Sequence, residues 1–298
     1  MSEFVELAFA GLALGARYAL VALGFVVIFR ATGVINFAQG GLLVVGAYLT
    51  YAFLEGPGLP FALAVVAAMA CAAALGAGVE RVALRPLVGR PVYAAIMVTV
   101  GLLFVLEQTV TTIWGPDNKT LGDPWGLDTV EAGGVVMAVK DLWTLGLAAA
   151  ALAAFFAFLR WSTLGVAMRA TAADPEAALA QGISAGRITA ISWAIAAALA
   201  TVAGVTFAAG SDALVPSLGT VALVAFPAMI LGGMDSPGGA VVGGLVIGLV
   251  QSLTAGYQQD VLPWAGENVS TVMPFVVMIL ILLVRPYGLF GTREVRRI

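Results

Sequence analysis

The side chains that most often carry catalysis are nearly missing from this sequence. It has no histidine and one cysteine, Cys71, which lies in an alanine-rich run and reads as packing. A His- or Cys-based metal site and an intrachain disulfide are therefore excluded. There is no G-x-S-x-G nucleophile turn, and the carboxylates fall in loops rather than as a pair inside an apolar span. Without a G-x-x-x-x-G-K-[ST] phosphate loop the chain cannot hydrolyse ATP itself. An enzyme is not expected, and the residues that remain suit recognition and movement instead.

Three groups stand out. Asn36 and Gln39, followed by Gly40 and Gly41, place two amides beside backbone freed by glycine. Such a segment can line a polar path for a zwitterionic solute, because irregular backbone at membrane depth is tolerated only in a protein interior or along a cavity. A capped helix start in tight helix–helix contact is the other reading. Gly232 and Gly233, ahead of Asp235-Ser236-Pro237, pose the same choice. The second group is a short rod. Asp174-Pro175 has the form of a helix start, with Asp capping and Pro at the first helical position. Glu176 then falls in the first turn, where the helix dipole favours a carboxylate. Ala177 and Ala178 are strong, small helix formers, and Gly182 suits the end of a short helix. The third group is two charges within apolar runs, Arg17 and Glu107. Each needs a partner or a cavity, and they are expected to face the interior and neutralise each other.

The elements that must position these groups are membrane helices. Hydrophobic residues make up 61% of the 298, charged ones 10%, and mean hydropathy is +1.03, against roughly a quarter charged in soluble domains. Apolar runs fall at roughly 5–29, 38–54, 60–79, 93–114, 141–159, 188–209, 218–234, 239–257 and 269–284. The fold expected is an all-α polytopic membrane protein of about eight or nine transmembrane or re-entrant helices. The glycine-rich 38–54 and 218–257 regions are the candidates for broken spans. Gly11 and Gly15, Gly239 and Gly243, and Gly244 and Gly248 form small-x-x-x-small pairs suited to helix packing, against another span or a sister subunit.

Charge sets the orientation. Arg30, Arg81, Arg85, Arg90, Arg160, Arg169, Arg187, Arg285, Arg293, Arg296 and Arg297 fall at alternate span ends. The opposite loops hold Glu3, Glu6, Glu55, Asp117, Asp123, Asp128, Glu131, Asp212, Asp260 and Glu267, with Lys119 and Lys140. The positive-inside rule then places the N-terminus outside, and the C-terminus and segment 160–187 in the cytoplasm. The first six residues lack the basic region of a cleavable signal, so the first span is expected to stay as an anchor. The turn-rich stretch 115–140, with Pro116, Gly122 and Pro124, reads as an acidic loop, either solvated or docking a soluble partner. Nothing in the charge pattern calls for nucleic acid.

Several blocks, taken in order, carry a resemblance over nearly the whole chain. They are Tyr18-Ala-Leu-Val-Ala-Leu-Gly24, Gly33-Val-Ile-Asn-Phe-Ala-Gln-Gly40 leading to Gly46-Ala-Tyr48, and Glu80-Arg-Val-Ala-Leu-Arg-Pro86. The E-A-A-x-x-x-G pattern of Glu176-Ala177-Ala178 and Gly182 follows, then Leu231-Gly-Gly-Met-Asp-Ser-Pro-Gly-Gly-Ala240 and Arg285-Pro-Tyr-Gly-Leu-Phe-Gly291. Together they resemble the branched-chain amino acid permeases of bacterial ATP-binding-cassette importers, specifically the LivH-type subunit. The resemblance implies one permease domain over 1–298 in the bacterial cytoplasmic membrane, with a coupling segment at about 160–187. It implies ATPase subunits that bind ATP and Mg, a LivM-like sister permease, and a periplasmic or lipid-anchored solute-binding protein. This chain itself would hold no cofactor. Glu107 stands where the family pattern favours Gln, and the family also includes permeases for urea, short amides and other amino acids. A self-sufficient secondary transporter or channel is the rival, but it has no need of the Glu176–Gly182 rod.

Overall fold

The structure, a computed structural model, describes residues 2–123, 125, 128–132, 134–210, 213–261 and 268–292. Pro124, Asp212, Glu267, Arg293, Arg296 and Arg297 lie outside the described residues.

Each of the nine apolar runs becomes a helix. They are α1 (Ser2–Thr32), α2 (Gln39–Glu55), α3 (Phe61–Val79), α4 (Val92–Trp114), α5 (Val139–Trp161), α8 (Ala185–Ala208), α9 (Val221–Gly232), α10 (Pro237–Val261) and α11 (Val269–Val284). Between α5 and α8 lie two polar helices, α6 (Thr163–Ala173) and α7 (Pro175–Ala180). Six of the apolar helices are long and apolar enough to cross a membrane, with α3 counted through its extension to Leu87. The segment Pro216–Gly232 and helix α11 are shorter, α2 has 17 residues, and α9 and α11 each carry an internal proline. The expected break in the 218–257 region falls at residues 233–236, and α10 runs through unbroken.

Segment 115–140 departs from the all-α expectation. A hairpin pairs β1 (Thr129–Ala132) with β2 (Val135–Ala138), Val130 opposite Met137. Turn residues and the β-branched Thr129, Val130, Val135 and Val136 favour it over helix. The backbone N–H of Val136 donates to Glu6 on α1 (3.2 Å).

Helices α1 and α8 form the interior, while α3, α4 and α5 turn most of their surface outward. Lipid is as apolar as a leucine side chain, so association depends on close backbone approach at small residues. α1 and α10 lie antiparallel along such a seam. A Cβ on Gly15 would sit 2.7 Å from the Leu245 Cα, and one on Gly11 would sit 3.0 Å from the Leu249 Cα. The paired glycines thus pack within one chain and not against a sister subunit. α3 buries one stripe, Ala64, Ala68, Ala72 and Gly76, spaced at i+4. Gly76 meets the Trp193 carbonyl of α8 there. Cys71 lies off that stripe and is exposed, so it does not pack as its alanine-rich run suggests.

Among the described residues, the arginines apart from Arg17 collect at one end. Arg30, Arg160 and Arg169 border a common cleft with Pro237, and Arg85 reaches Gly186 at the start of α8. At the other end, Lys119 and Leu214 form a bridge, and the Gly210 amide donates to the Gly122 carbonyl.

Candidate functional site

The polar segment between α5 and α8 folds as its residues dictate. Ser162 caps α6 by accepting from the Gly165 amide (2.8 Å). Asp174 caps α7 by accepting from the Ala177 amide (3.0 Å), with Pro175 at the first helical position. At the far end the Ile183 amide donates to the Ala178 carbonyl (3.0 Å) and the Gly182 amide to that of Leu179 (2.9 Å). That double closure is a Schellman motif, and it puts Gly182 at φ +81°. Ala178 is buried, whereas Glu176, Ala177 and Leu179 are exposed. The result is a six-residue rod, closed at both ends, that presents a carboxylate and a leucine outward. Only Ile183 and Ser184 separate Gly182 from the start of α8.

The first turn of α8 is tied to the end of α3 by a cluster centred on Glu80. Here α3 widens into a π-helical turn, Glu80–Leu84, in which the Arg85 amide bonds the Glu80 carbonyl. The wider turn aligns positions five apart, so Arg85 also meets the Glu80 carboxylate (3.2 Å). The same guanidinium nitrogen donates to the Gly186 carbonyl (2.7 Å). The Thr189 hydroxyl donates to the other Glu80 oxygen (2.8 Å). Glu80 is 3% exposed, and these bonds offset the cost of burying a polar group.

Beside this cluster lies a cavity of about 310 Å³, whose lining includes Thr32, Asn36, Glu80, Arg90, Thr99, Thr189 and Trp193. Asn36 sits in the turn between α1 and α2. Its Oδ1 accepts from the Ala38 amide (3.0 Å), and the Phe37 amide donates to Thr99 on α4 (3.2 Å). Among the described residues, the Asn36 Nδ2 and the Trp193 Nε1 have no partner, although both side chains are about 1% exposed.

Of the residues expected along a polar path, Asn36 alone lines this cavity. Gln39 is fully buried, and its amide nitrogen donates to the Ala196 carbonyl (3.2 Å). Gly40 abuts the backbone of Gly219, and Gly41 meets Leu106 of α4. Gly232 packs on Gly239 and Ala240, and Gly233, at φ +107°, packs on the Gly291 backbone. At these four glycines close packing is what the structure shows. The C-terminal segment completes that corner, where the Leu289 and Phe290 amides bond the Leu231 and Gly232 carbonyls (2.8 and 3.1 Å).

Arg17 does not meet Glu107. Its guanidinium lies 3.6 Å from Asp141 and 3.4 Å from the Thr144 hydroxyl, both on the first turns of α5. α1 is longer than a bilayer core is thick, so Arg17 stands level with the start of α5, where a carboxylate is at hand. Glu107 instead lies against Gly219. Glu80 was missed as a site residue because a carboxylate at a span end, flanked by arginines, reads as a loop charge. The signal was its spacing of five from Arg85.

A family model described as the branched-chain amino acid transport system permease component matches residues 7–282. The chain is 30% identical to the high-affinity branched-chain amino acid transport system permease protein LivH of Escherichia coli K12, over 99% of this chain and 98% of that one. It is 31% identical to the permease protein BraD of the same description from Pseudomonas aeruginosa, over 97% and 96% of the two chains. In outline it is similar to PsaBC from Streptococcus pneumoniae in complex with Fab, with TM-score 0.49 and 14% identity over 95% of this chain and 92% of that one; nothing functional is transferred from that likeness. With a family match across almost its whole length, the chain belongs to the branched-chain amino acid transport system permease component family.

Proposed function

We propose that this chain is a transmembrane subunit of an ATP-binding-cassette importer that moves branched-chain or related amino acids by alternating access. It lies in the bacterial cytoplasmic membrane with its arginine-bearing end inside, the N-terminus outside and the C-terminus in the cytoplasm. Separate ATPase subunits bind ATP and Mg, a LivM-like sister permease completes the pathway, and a periplasmic or lipid-anchored binding protein delivers the solute.

The observation that carries this reading is α7. A rod with a rigid start and end, exposed at the arginine-bearing end of an otherwise apolar bundle, suits a groove on a soluble partner. Movement of the rod passes directly into α8 through Ile183 and Ser184. Arg85 then passes it to α3 through the Gly186 carbonyl. Asp174, Glu176, Ala177, Ala178 and Gly182 form the coupling element in this mechanism.

Purification of the tagged chain from its own organism in mild detergent tests the assignment. A Walker-motif ATPase and a second permease are expected to co-purify, and Glu176→Arg is expected to release the ATPase and stop ATP-driven uptake while leaving membrane insertion intact. A chain that purifies alone and moves solute in liposomes without ATP would overturn the reading in favour of a secondary transporter.

A further inference from the structure

We propose that the cleft bordered by Arg30, Arg160 and Arg169 binds the headgroup of an anionic phospholipid, with an acyl chain lying along α5. The site stands on the geometry of this chain, and the role given to it below rests on the importer reading.

Three guanidinium groups reach this cleft from three helices. Arg30 comes from the last turn of α1, Arg160 from that of α5, and Arg169 from α6. Backbone packing brings them together. Gly165 of α6 lies against the Phe158 carbonyl and the Leu159 backbone, so α6 folds back onto the end of α5. Met168 and Thr171 are then buried, and Arg169 is left exposed. Among the described residues none of the three arginines forms an ion pair. Asp235 acts on Arg30 from beyond ion-pair distance, and its carboxylate is engaged by the amide and hydroxyl of Thr292. Like charges gathered in this way repel, and an anion in the cleft removes that cost. A phosphate group suits guanidinium donors, whose fork matches its oxygens. Gly238 on the cleft's border adds the positive end of α10, a helix of 25 residues.

The rest of the lining favours a lipid over a soluble phosphate. Phe156 and Leu159 extend the cleft along α5, a helix that turns most of its surface outward, and the Phe156 ring is exposed. Trp161, exposed next to Arg160, is the residue type that gathers at headgroup level. Basic pockets between membrane helices on the cytoplasmic side suit anionic headgroups. The cleft's volume, about 430 Å³, is that of a small-molecule site. A phosphate on the arginines and a hydrocarbon chain on Phe156 and Leu159 use both halves of this lining.

The headgroup ties α1, α5 and α6 to one another. α6 ends at Asp174, the cap of the α7 rod, so the lipid steadies the base from which the rod moves. Without it, ATP hydrolysis should be less well coupled to uptake.

Native mass spectrometry of the chain with its co-purifying subunits tests the site. The complex is delipidated in mild detergent and titrated with dioleoyl phosphatidylglycerol or dioleoyl phosphatidylcholine. Saturable, preferential binding of phosphatidylglycerol is expected. Arg160→Gln and Arg169→Gln should each weaken it roughly 5-fold. Arg81→Gln, which removes the same charge from an exposed position outside the cleft, should leave it unchanged. Equal losses in all three variants, or equal binding of the two lipids, would overturn the site. Displacement by inorganic phosphate as effective as that by short-chain phosphatidylglycerol would overturn the lipid in favour of a soluble anion. In proteoliposomes, adding phosphatidylglycerol to phosphatidylcholine should raise leucine uptake per ATP hydrolysed for the wild type and Arg81→Gln. The Arg160→Gln/Arg169→Gln double variant should respond far less. Preferential binding without that dependence removes the coupling role and leaves the site. Preferential binding by a complex that takes up nothing in either lipid removes the importer reading and leaves the site.

Discussion

Gly182 offers a perturbation whose cost can be isolated. It holds φ +81° at the end of α7, and a Cβ built there meets nothing within 4 Å. A substitution therefore creates no clash, and its whole effect is the strain of a left-handed backbone. For alanine that strain is about 1–2 kcal/mol; asparagine pays less, and a β-branched residue more. At 1.4 kcal/mol per factor of ten, alanine should cut the population with an intact helix end by roughly 5- to 30-fold. α7 has six residues, too few to hold itself without its ends. Because only Ala178 of the rod is buried, the melting temperature of the detergent-solubilised complex should not move. ATP-driven uptake in proteoliposomes should fall in the order Gly, Asn, Ala, Val. Wild-type uptake in Gly182→Val, or a melting temperature that falls in step with uptake, would refute the reasoning.

The α1–α10 seam gives a stability test. Gly15→Ala must push its Cβ off the Leu245 Cα at 2.7 Å, at a net cost of about 1–3 kcal/mol. Gly146→Ala, where nothing lies within 4 Å, should be neutral or stabilising by up to about 1 kcal/mol. Equal melting temperatures for the two variants would discredit the seam. In a double-mutant cycle, Arg17→Met and Asp141→Asn should couple by roughly 0.5–3 kcal/mol, whereas Arg17→Met and Glu107→Gln should add. The opposite pattern would restore the Arg17–Glu107 pair.

Much of this architecture is written in local sequence. Apolar run length located the nine apolar helices among the described residues, six of them long enough to cross a membrane, since a run of that kind has one stable form in lipid. Asp174, Pro175 and Gly182 marked both ends of α7 because capping depends on neighbours within a turn. What depends on other helices was not legible. Gly11, Gly15, Gly244 and Gly248 announced close packing without saying against what. Arg17 lies well inside its apolar run, yet α1 is 31 residues long and brings it beside Asp141. The Gly40, Gly41, Gly232 and Gly233 contacts and the cavity beside Asn36 share one signature, glycine near polar groups, and only three-dimensional packing separates them. Glu80 became a site residue through a π-turn whose trace in sequence is one pair spaced by five.

The α1–α10 seam also governs how the protein must be made. α1 is synthesised long before α10, which carries the partners of its small-residue face. Tyr18 is separated by 233 residues from Gln251, whose side chain accepts its hydroxyl. Leu7 is separated by 245 from Ser252, which bonds its carbonyl. During translation that face waits in lipid or against temporary neighbours, and Arg17 waits for Asp141. Assembly therefore cannot proceed strictly from the N-terminus. The core closes only once α10 has been inserted, so truncations that stop short of α10 should leave α1 inserted but unlocked and open to quality-control proteolysis.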